Sequence, residues 1–187
     1  ALQELAFWDI YYEHCSYFSA GSLAHLFRQC GFEVIDLARE YGNQYLLIEA
    51  KPAGAQAGKP HAAEETLAQM AADVQYFATH CRERMNQWRK KMRQFYEQGK
   101  RTAVWGSGSK CVAFMTSLGL EDEIASIVDI NPHRHGKFIP GAGKQIMPPQ
   151  HLKAVKPDIV IVMNPIYREE IRQMLQQMEL TPEVLSV

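Results

Sequence analysis

The feature that most constrains the fold is a strand, a glycine-rich turn and a helix that follow one another between residues 102 and 118. Thr102–Trp105 is a short apolar strand, and Cys111–Leu118 is an apolar helix. The turn between them reads Gly106-Ser107-Gly108-Ser109-Lys110. Further strands are predicted at 124–130, 158–163 and 184–187, with a helix at 167–178. This alternation predicts an α/β fold whose residues 100–187 form a Rossmann-like domain with a parallel sheet.

The turn and the loop after the second strand are predicted to meet at one edge of that sheet. The turn opens a helix, whose free N–H groups and positive dipole favour phosphate, and Lys110 adds a full charge. Asp129 ends the second strand, where dinucleotide folds place a ribose-binding acid, and Asn131 follows it. The pattern predicts a phosphate-bearing ligand. The alternative is a tight structural turn, because the third glycine of the dinucleotide fingerprint is missing.

The first half of the chain divides into three predicted segments. Residues 1–50 contain a helix and two strands, which leave one sheet face bare and therefore need partners. Residues 51–63 are rich in Ala, Gly and Pro and contain no large apolar residue, which is typical of a linker. Residues 64–99 are predicted to form one long connecting helix, because apolar residues recur at steps of three and four.

This long helix would extend about 50 Å at ~1.5 Å per residue, more than the following domain needs. The surplus length could bridge two domains or pair with a second copy, so a homodimer through the helix is one expectation. From Arg82 to Arg101 the sequence has eight Lys or Arg and two Asp or Glu. Such a charged run is usually a solvated face, and the alternative is a surface that faces an anion or a subunit.

Composition excludes several classes of protein. The formal net charge of −1 argues against a nucleic-acid binder, which usually has a basic excess. No apolar run reaches the ~18 residues of a membrane-spanning helix, so no membrane partner is expected. The four cysteines form no C-x-x-C pair, which predicts no metal site and a reduced, cytoplasmic protein with buried thiols. Because the chain begins at Ala1, we expect a piece of a longer protein.

A third candidate region precedes the first predicted helix. Tyr11, Glu13 and His14 lie in a run of tyrosine and phenylalanine residues. A histidine beside a carboxylate in an apolar shell has the tunable pKa that a general base needs. The two side chains would point apart on a strand, so they need an irregular backbone to converge. The alternative is a structural role, since a Glu-His dipeptide is common.

Spaced motifs across nearly the whole chain resemble the S-adenosylmethionine-dependent sugar C-methyltransferases. The N-terminal part resembles the end of that family's catalytic domain, and residues 101–175 resemble its C-terminal domain. The matching motifs are Tyr11-Tyr12-Glu13-His14-x-Ser16-Tyr17-Phe18-Ser19, Gly31-Phe32-Glu33-Val34, Gly42-Asn43-Gln44-Tyr45-Leu46, Gly106-x-Gly108-x-Lys110, Asp129-x-Asn131-Pro132, Pro140-Gly141 and the strand DIVIVM.

The resemblance implies a function and a set of residue roles. Family members methylate a carbon of a nucleotide-linked keto-sugar, after a base removes the neighbouring proton. By that match His14 is the base, with Glu13 and Tyr11 as orienting or proton-carrying partners. The C-terminal domain holds the nucleotide diphosphate, which assigns substrate binding to the 106–110 turn, Asp129 and Asn131.

The family's S-adenosylmethionine loop lies upstream of the matching segment, so we expect this chain to bind no cofactor by itself. Residues 1–50 would then be the end of a partial methyltransferase catalytic subdomain, and the chain would be inactive alone. The alternative function is a non-catalytic nucleotide- or dinucleotide-binding regulatory module that dimerises through the long helix. The Tyr11–Ser19 segment discriminates between them, because a binding module has no reason to contain it.

Overall fold

The computed structural model describes residues 1–54 and 59–187, which form two compact units. The first unit combines residues 1–12 with residues 76–187. The second unit is residues 13–75, inserted in sequence between those two parts. The predicted linker at 51–63 includes residues 55–58, which lie outside the described residues, so it stays a prediction.

The predicted helices and strands are present in the predicted order, and one short strand and one short helix are present in addition. The α-helices are α1 (Ala20–Gln29), α2 (Leu67–Glu97), α3 (Ser109–Leu118), α4 (Leu152–Val155) and α5 (Arg168–Gln177). The strands are β1 (Phe32–Glu40), β2 (Tyr45–Pro52), β3 (Thr102–Trp105), β4 (Ser126–Val128), β5 (Ile146–Met147), β6 (Ile159–Val162) and β7 (Glu183–Ser186). Short 3₁₀ turns lie at Phe7–Asp9, Pro132–Arg134, Pro149–His151 and Pro165–Tyr167.

The first unit is built on a five-stranded sheet in the order β5-β4-β3-β6-β7, with all neighbouring strands parallel. This confirms the predicted α/β fold with a parallel sheet. The chain runs from β3 to β4 and β5 on one side, then returns to place β6 on the other side of β3. The strand order therefore reverses between β3 and β6, and open α/β sheets bind ligands beyond the carboxyl ends of strands at such a point.

Aromatic residues cover one face of this sheet. Trp88 of α2 and Phe114 of α3 pack edge to face, with ring centroids 5.2 Å apart. Phe7 stacks on Phe114 at 6.1 Å, and Trp8 meets Trp88 at 6.5 Å. All four rings belong to the same buried cluster as Val104 of β3. Burying each large apolar side chain contributes about 1.5–3 kcal/mol, so the N-terminal residues are an integral part of this core.

The opposite face is covered by α4 and α5. Ile171 and Leu175 lie one helical turn apart on α5, and both are buried against the sheet. They share a cluster with Trp105 of β3 and Val162 of β6. Because both faces are covered, the interior strand β6 is apolar and buried at every position from Ile159 to Val162 and does not alternate.

The second unit is a hairpin with one helix packed on it. Strands β1 and β2 pair antiparallel, with a bulge between Val34 and Asp36. Ala20 and Ala24 of α1 are buried against Leu37 of β1. Ser19 caps α1 in a capping box with Ser22, each side chain accepting a hydrogen bond from the other residue's backbone N–H.

Two glutamates that precede α2 stabilise α1 in this unit. Arg28 donates two hydrogen bonds to the Glu64 carboxylate, which holds the pKa of Glu64 below its usual value despite partial burial. The Glu65 carboxylate accepts hydrogen bonds from the Ser19 hydroxyl and the Gly21 N–H. Burial raises the pKa of Glu65, but these hydrogen bonds outweigh it and the net shift is downward.

The thiols are less buried than the sequence predicts. Cys111 lies in the core of the first unit, where burial raises the pKa of its thiol to about 12. Cys81 is half-buried, but Cys15 and Cys30 are exposed, so the prediction of buried thiols is wrong for these two. Cys30 is the C-cap residue of α1, and its side chain is exposed at this end of the helix. Of the helices in the described residues, none is long and apolar enough to cross a membrane.

Candidate functional site

The glycine-rich turn lies at the carboxyl end of β3, where the strand order reverses. Gly106 has a φ of +104°, which disfavours a residue with a side chain. A Cβ atom at this position would lie 3.4 Å from the Cβ of Met163, which follows β6. The Gly106 N–H donates to the carbonyl of Val128 at 2.8 Å. The turn is therefore fixed between the ends of β4 and β6, its two neighbours in space.

Asp129 connects this turn to the loop after β4. The Asp129 side chain is 11% exposed, and its Oδ2 accepts hydrogen bonds from the Ser107 N–H at 2.7 Å and the Ser107 hydroxyl at 2.6 Å. Its Oδ1 accepts from the Asn131 N–H at 2.9 Å. The structure thus brings the predicted residues Gly106–Ser107 together with Asp129 and Asn131. The sequence could not indicate that Ser107 is the partner of Asp129.

The pKa of Asp129 is lowered. Burial alone would raise it, because a carboxylate loses solvation, but the hydrogen bonds from Ser107 and Asn131 and the charge of Arg134 together favour the ionised form. The carboxylate is therefore negative at neutral pH. Through these hydrogen bonds Asp129 connects the glycine-rich turn to the loop after β4.

Arg134 places a positive charge over the turn. Its Nη1 lies 3.4 Å from both the Asp129 Oδ2 and the Ser107 hydroxyl oxygen, and 3.3 Å from where a Cβ on Gly108 would be. Gly108 is the N-cap residue of α3 and provides no side-chain cap. The guanidinium and the positive end of the helix dipole therefore converge on one surface. In the sequence, Arg134 stands out only as one basic residue of a basic loop.

Lys110 has a partner that the sequence did not reveal. Its Nζ lies 2.8 Å from the Asp9 Oδ1, and both side chains are about three-quarters buried, at 26% and 28% exposed. Asp9 ends the 3₁₀ turn that holds Phe7 and Trp8. Because Asp9 and Lys110 are far apart in sequence, no spacing motif could have paired them. Ser109 begins α3 and is half-buried.

The residues of the third candidate region belong to different units. Tyr11 is half-buried and belongs to the first unit, two residues after Asp9. Glu13 and His14 begin the second unit, are exposed, and lie in a segment without helix or strand. The His14 ring meets Tyr17 edge-on, with centroids 5.7 Å apart. The backbone of Glu13 and His14 is therefore irregular, and their shared role stays a prediction.

Comparison with known proteins identifies relatives over most of the chain. The C-methyltransferase C-terminal domain family matches residues 48–181. The C-methyltransferase NovU of Streptomyces niveus is 31% identical over 179 residues, which are 91% of this chain and 43% of that protein. The chain thus spans less than half the length of this relative. Among solved structures, the crystal structure of RSP, a Rex-family repressor, aligns over 65% of this chain and 70% of that one, at 18% identity and a TM-score of 0.36.

Proposed function

Since this chain belongs to the C-methyltransferase C-terminal domain family, we propose that it contributes the nucleotide-sugar diphosphate site of a C-methyltransferase that acts on a nucleotide-linked sugar. The observation that carries this proposal is the position of Arg134, which lies against Gly108 at the amino end of α3. A diphosphate there would accept hydrogen bonds from the guanidinium and from the first N–H groups of the helix.

Within this site the predicted residues take different roles. Gly106 and Gly108 allow the backbone to approach the ligand closely, and Ser109 and Lys110 offer the N–H groups of the first helical turn. Ser107, Asp129 and Asn131 hold the loops in place through their mutual hydrogen bonds. Asp129 thus orients Arg134 and Ser107, in place of the ribose contact that its position in the sequence predicts.

Family membership implies S-adenosylmethionine in the parent protein, and the Asp129 site does not fit that cofactor. A carboxylate that binds both hydroxyls of a ribose needs a free acceptor position on each oxygen, whereas the Asp129 Oδ2 already accepts two hydrogen bonds from Ser107 and only Oδ1 retains a free position. We therefore derive no methyl-transfer step from this turn. The described residues also contain no group of three or more His, Cys, Asp or Glu that could hold a metal ion.

Binding of nucleotide sugars tests the proposal directly. UDP-glucose and dTDP-glucose would be titrated by calorimetry into the wild-type chain, the Arg134→Met variant and an Arg172→Met control. Arg172 pairs with Glu169 within α5, so its loss should leave binding unchanged. Loss of one charge-assisted contact weakens binding by about ten-fold or more. We expect this weaker binding for Arg134→Met and not for Arg172→Met. A folded wild type that binds neither ligand would refute the diphosphate site.

For the sugar site, we propose His14 as the base that removes the proton next to the keto group, with Glu13 and Tyr11 as orienting or proton-carrying partners. The resemblance of the segment Tyr11-Tyr12-Glu13-His14 to the sugar site of that family supports this assignment. In the full-length protein His14→Gln should lower kcat by about 10²–10⁴ and change KM little. Tyr12, which is 94% exposed, provides the control Tyr12→Ala. A His14→Gln enzyme within a few-fold of wild-type kcat would disprove the assignment.

A regulatory module that dimerises through α2 is the second candidate function. The observation that favours it is the apolar stripe at the start of the helix, where Leu67 is 90% and Val74 50% exposed. Sedimentation of the wild type and of Leu67→Glu tests it. A wild-type dimer that Leu67→Glu dissociates would support the module, and a wild-type monomer would remove it. We also propose a cytoplasmic location, which the four free thiols support.

A further inference from the structure

The ion pair between Asp9 and Lys110 lies at the end of α3 where the diphosphate is proposed to bind. A lysine in the first turn of a helix is opposed by the helix dipole, and a carboxylate near the same end is favoured. Asp9 supplies that carboxylate at 2.8 Å from the Lys110 Nζ. Because both side chains are about three-quarters buried, solvent screens the pair less than a fully exposed one. An anionic group of the chain itself therefore already balances this positive surface.

The backbone around Asp9 limits how far the carboxylate can move. Phe7 and Trp8 are each 5% exposed in the aromatic core. The Asp9 N–H donates to the Ala6 carbonyl at 3.0 Å, and the Ile10 N–H donates to the Phe7 carbonyl at 3.2 Å. Ile10 itself is 45% exposed. The ion pair of Asp9 thus holds the chain just before Tyr11, and the packing of Phe7 and Trp8 holds the other side of the turn.

From these two observations we propose that Asp9 is a positioning residue that competes with a ligand phosphate for Lys110. When the ligand binds, Lys110 turns from Asp9 to the phosphate, and the segment that leads to Tyr11 loses its ion pair. Occupancy of the glycine-rich turn is thereby coupled to the freedom of residues 9–12. This inference rests on the proposed function, because it requires an anionic ligand at the amino end of α3.

A double-mutant cycle with Asp9→Asn, Lys110→Met and both together tests this coupling, with UDP-glucose and dTDP-glucose as probes. Asp9→Asn should tighten binding about three-fold in the presence of Lys110, because the lysine is released to the ligand. In the Lys110→Met background Asp9→Asn should have no effect, since its competitor is gone. Asp9→Glu, which keeps the carboxylate, should bind like the wild type.

Hydrogen exchange of the amides of residues 9–12 provides a readout without ligand. Asp9→Asn and Lys110→Met should each accelerate exchange about two- to three-fold. The double variant should accelerate exchange no more than either single variant, because each substitution removes the same ion pair. In the wild type, saturating ligand should accelerate exchange similarly. If the wild type binds neither probe, the proposed function fails and the coupling fails with it. If the wild type binds but the cycle is additive, or exchange does not change, only the coupling is wrong.

Discussion

Replacement of Asp129 by alanine tests whether this carboxylate holds the glycine-rich turn. The substitution removes the acceptor of four hydrogen bonds: two from the Ser107 N–H and hydroxyl, one from the Asn131 N–H, and a longer one of 3.4 Å from the partly exposed Arg134 guanidinium. Hydrogen bonds to charged groups contribute about 1.5–3 kcal/mol each, and a buried N–H without an acceptor costs a similar amount. The Ser107 hydroxyl can rotate to another partner, so two bonds dominate. We expect the free energy of unfolding to decrease by about 3 kcal/mol.

Tryptophan fluorescence during urea unfolding measures this change in the first unit, because Trp8, Trp88 and Trp105 all lie there. With a urea dependence of about 1–3 kcal/mol per M, the midpoint should fall by at least about 1 M. Asp129→Asn keeps one acceptor oxygen and should lose about 1–2 kcal/mol. The exposed Asp122 gives the matched control Asp122→Ala, which should change stability by less than about 0.5 kcal/mol.

The same carboxylate predicts how stability depends on pH. The folded-state pKa of Asp129 lies below its value in the unfolded chain, so the carboxylate stabilises the fold above the ordinary Asp pKa. This contribution is lost as the pH falls through the folded-state pKa. Wild type and Asp129→Asn should therefore differ at neutral pH and converge in acid. A loss below 1 kcal/mol for Asp129→Ala, or a difference that persists in acid, would refute the role assigned to Asp129.

Three further outcomes are expected. Gly106→Ala should lower the free energy of unfolding of the first unit, measured in urea, by about 1–2 kcal/mol, because φ is +104° and Met163 is close. The control Gly54→Ala should leave this free energy unchanged, because a Cβ at Gly54 would meet no atom within 4 Å. Arg28→Met should accelerate amide exchange in α1, since Glu64 loses its partner; unchanged exchange would contradict this. Wild-type α1 should lose protection as the pH falls through the lowered pKa of Glu64, and Arg28→Met should show a weaker pH dependence.

Much of the parallel sheet could be predicted because its strands are continuous apolar runs between turns. The strand predicted at 158–163 is β6, and the predicted Thr102–Trp105 strand is β3 without change. Strand β5 was not predicted, because two residues, Ile146 and Met147, contain no periodicity. The strand predicted at 124–130 is shorter in the structure, at Ser126–Val128, although the Asp129 N–H still donates to the Met147 carbonyl of β5 at 3.1 Å.

The candidate site could be predicted only in part. Parallel strands end at one edge of the sheet, so the sequence predicts that Gly106–Lys110 and Asp129 lie close together. Which donor meets which acceptor depends on side-chain direction in the folded chain, and the sequence contains no pattern for it. Ser107 with Asp129 and Asp9 with Lys110 are both pairs of this kind. The roles of Tyr11, Glu13 and His14 remain predictions.

The insertion of residues 13–75 into the first unit has a practical consequence for fragment design. A fragment that starts at residue 100 would contain all five strands of the parallel sheet but neither Trp88 nor Phe7 and Trp8. Phe114 would then be exposed to water, and such a fragment is expected to aggregate. A shortened protein for crystallisation or screening should instead keep residues 1–12 and 76–187 and place any deletion inside the inserted unit.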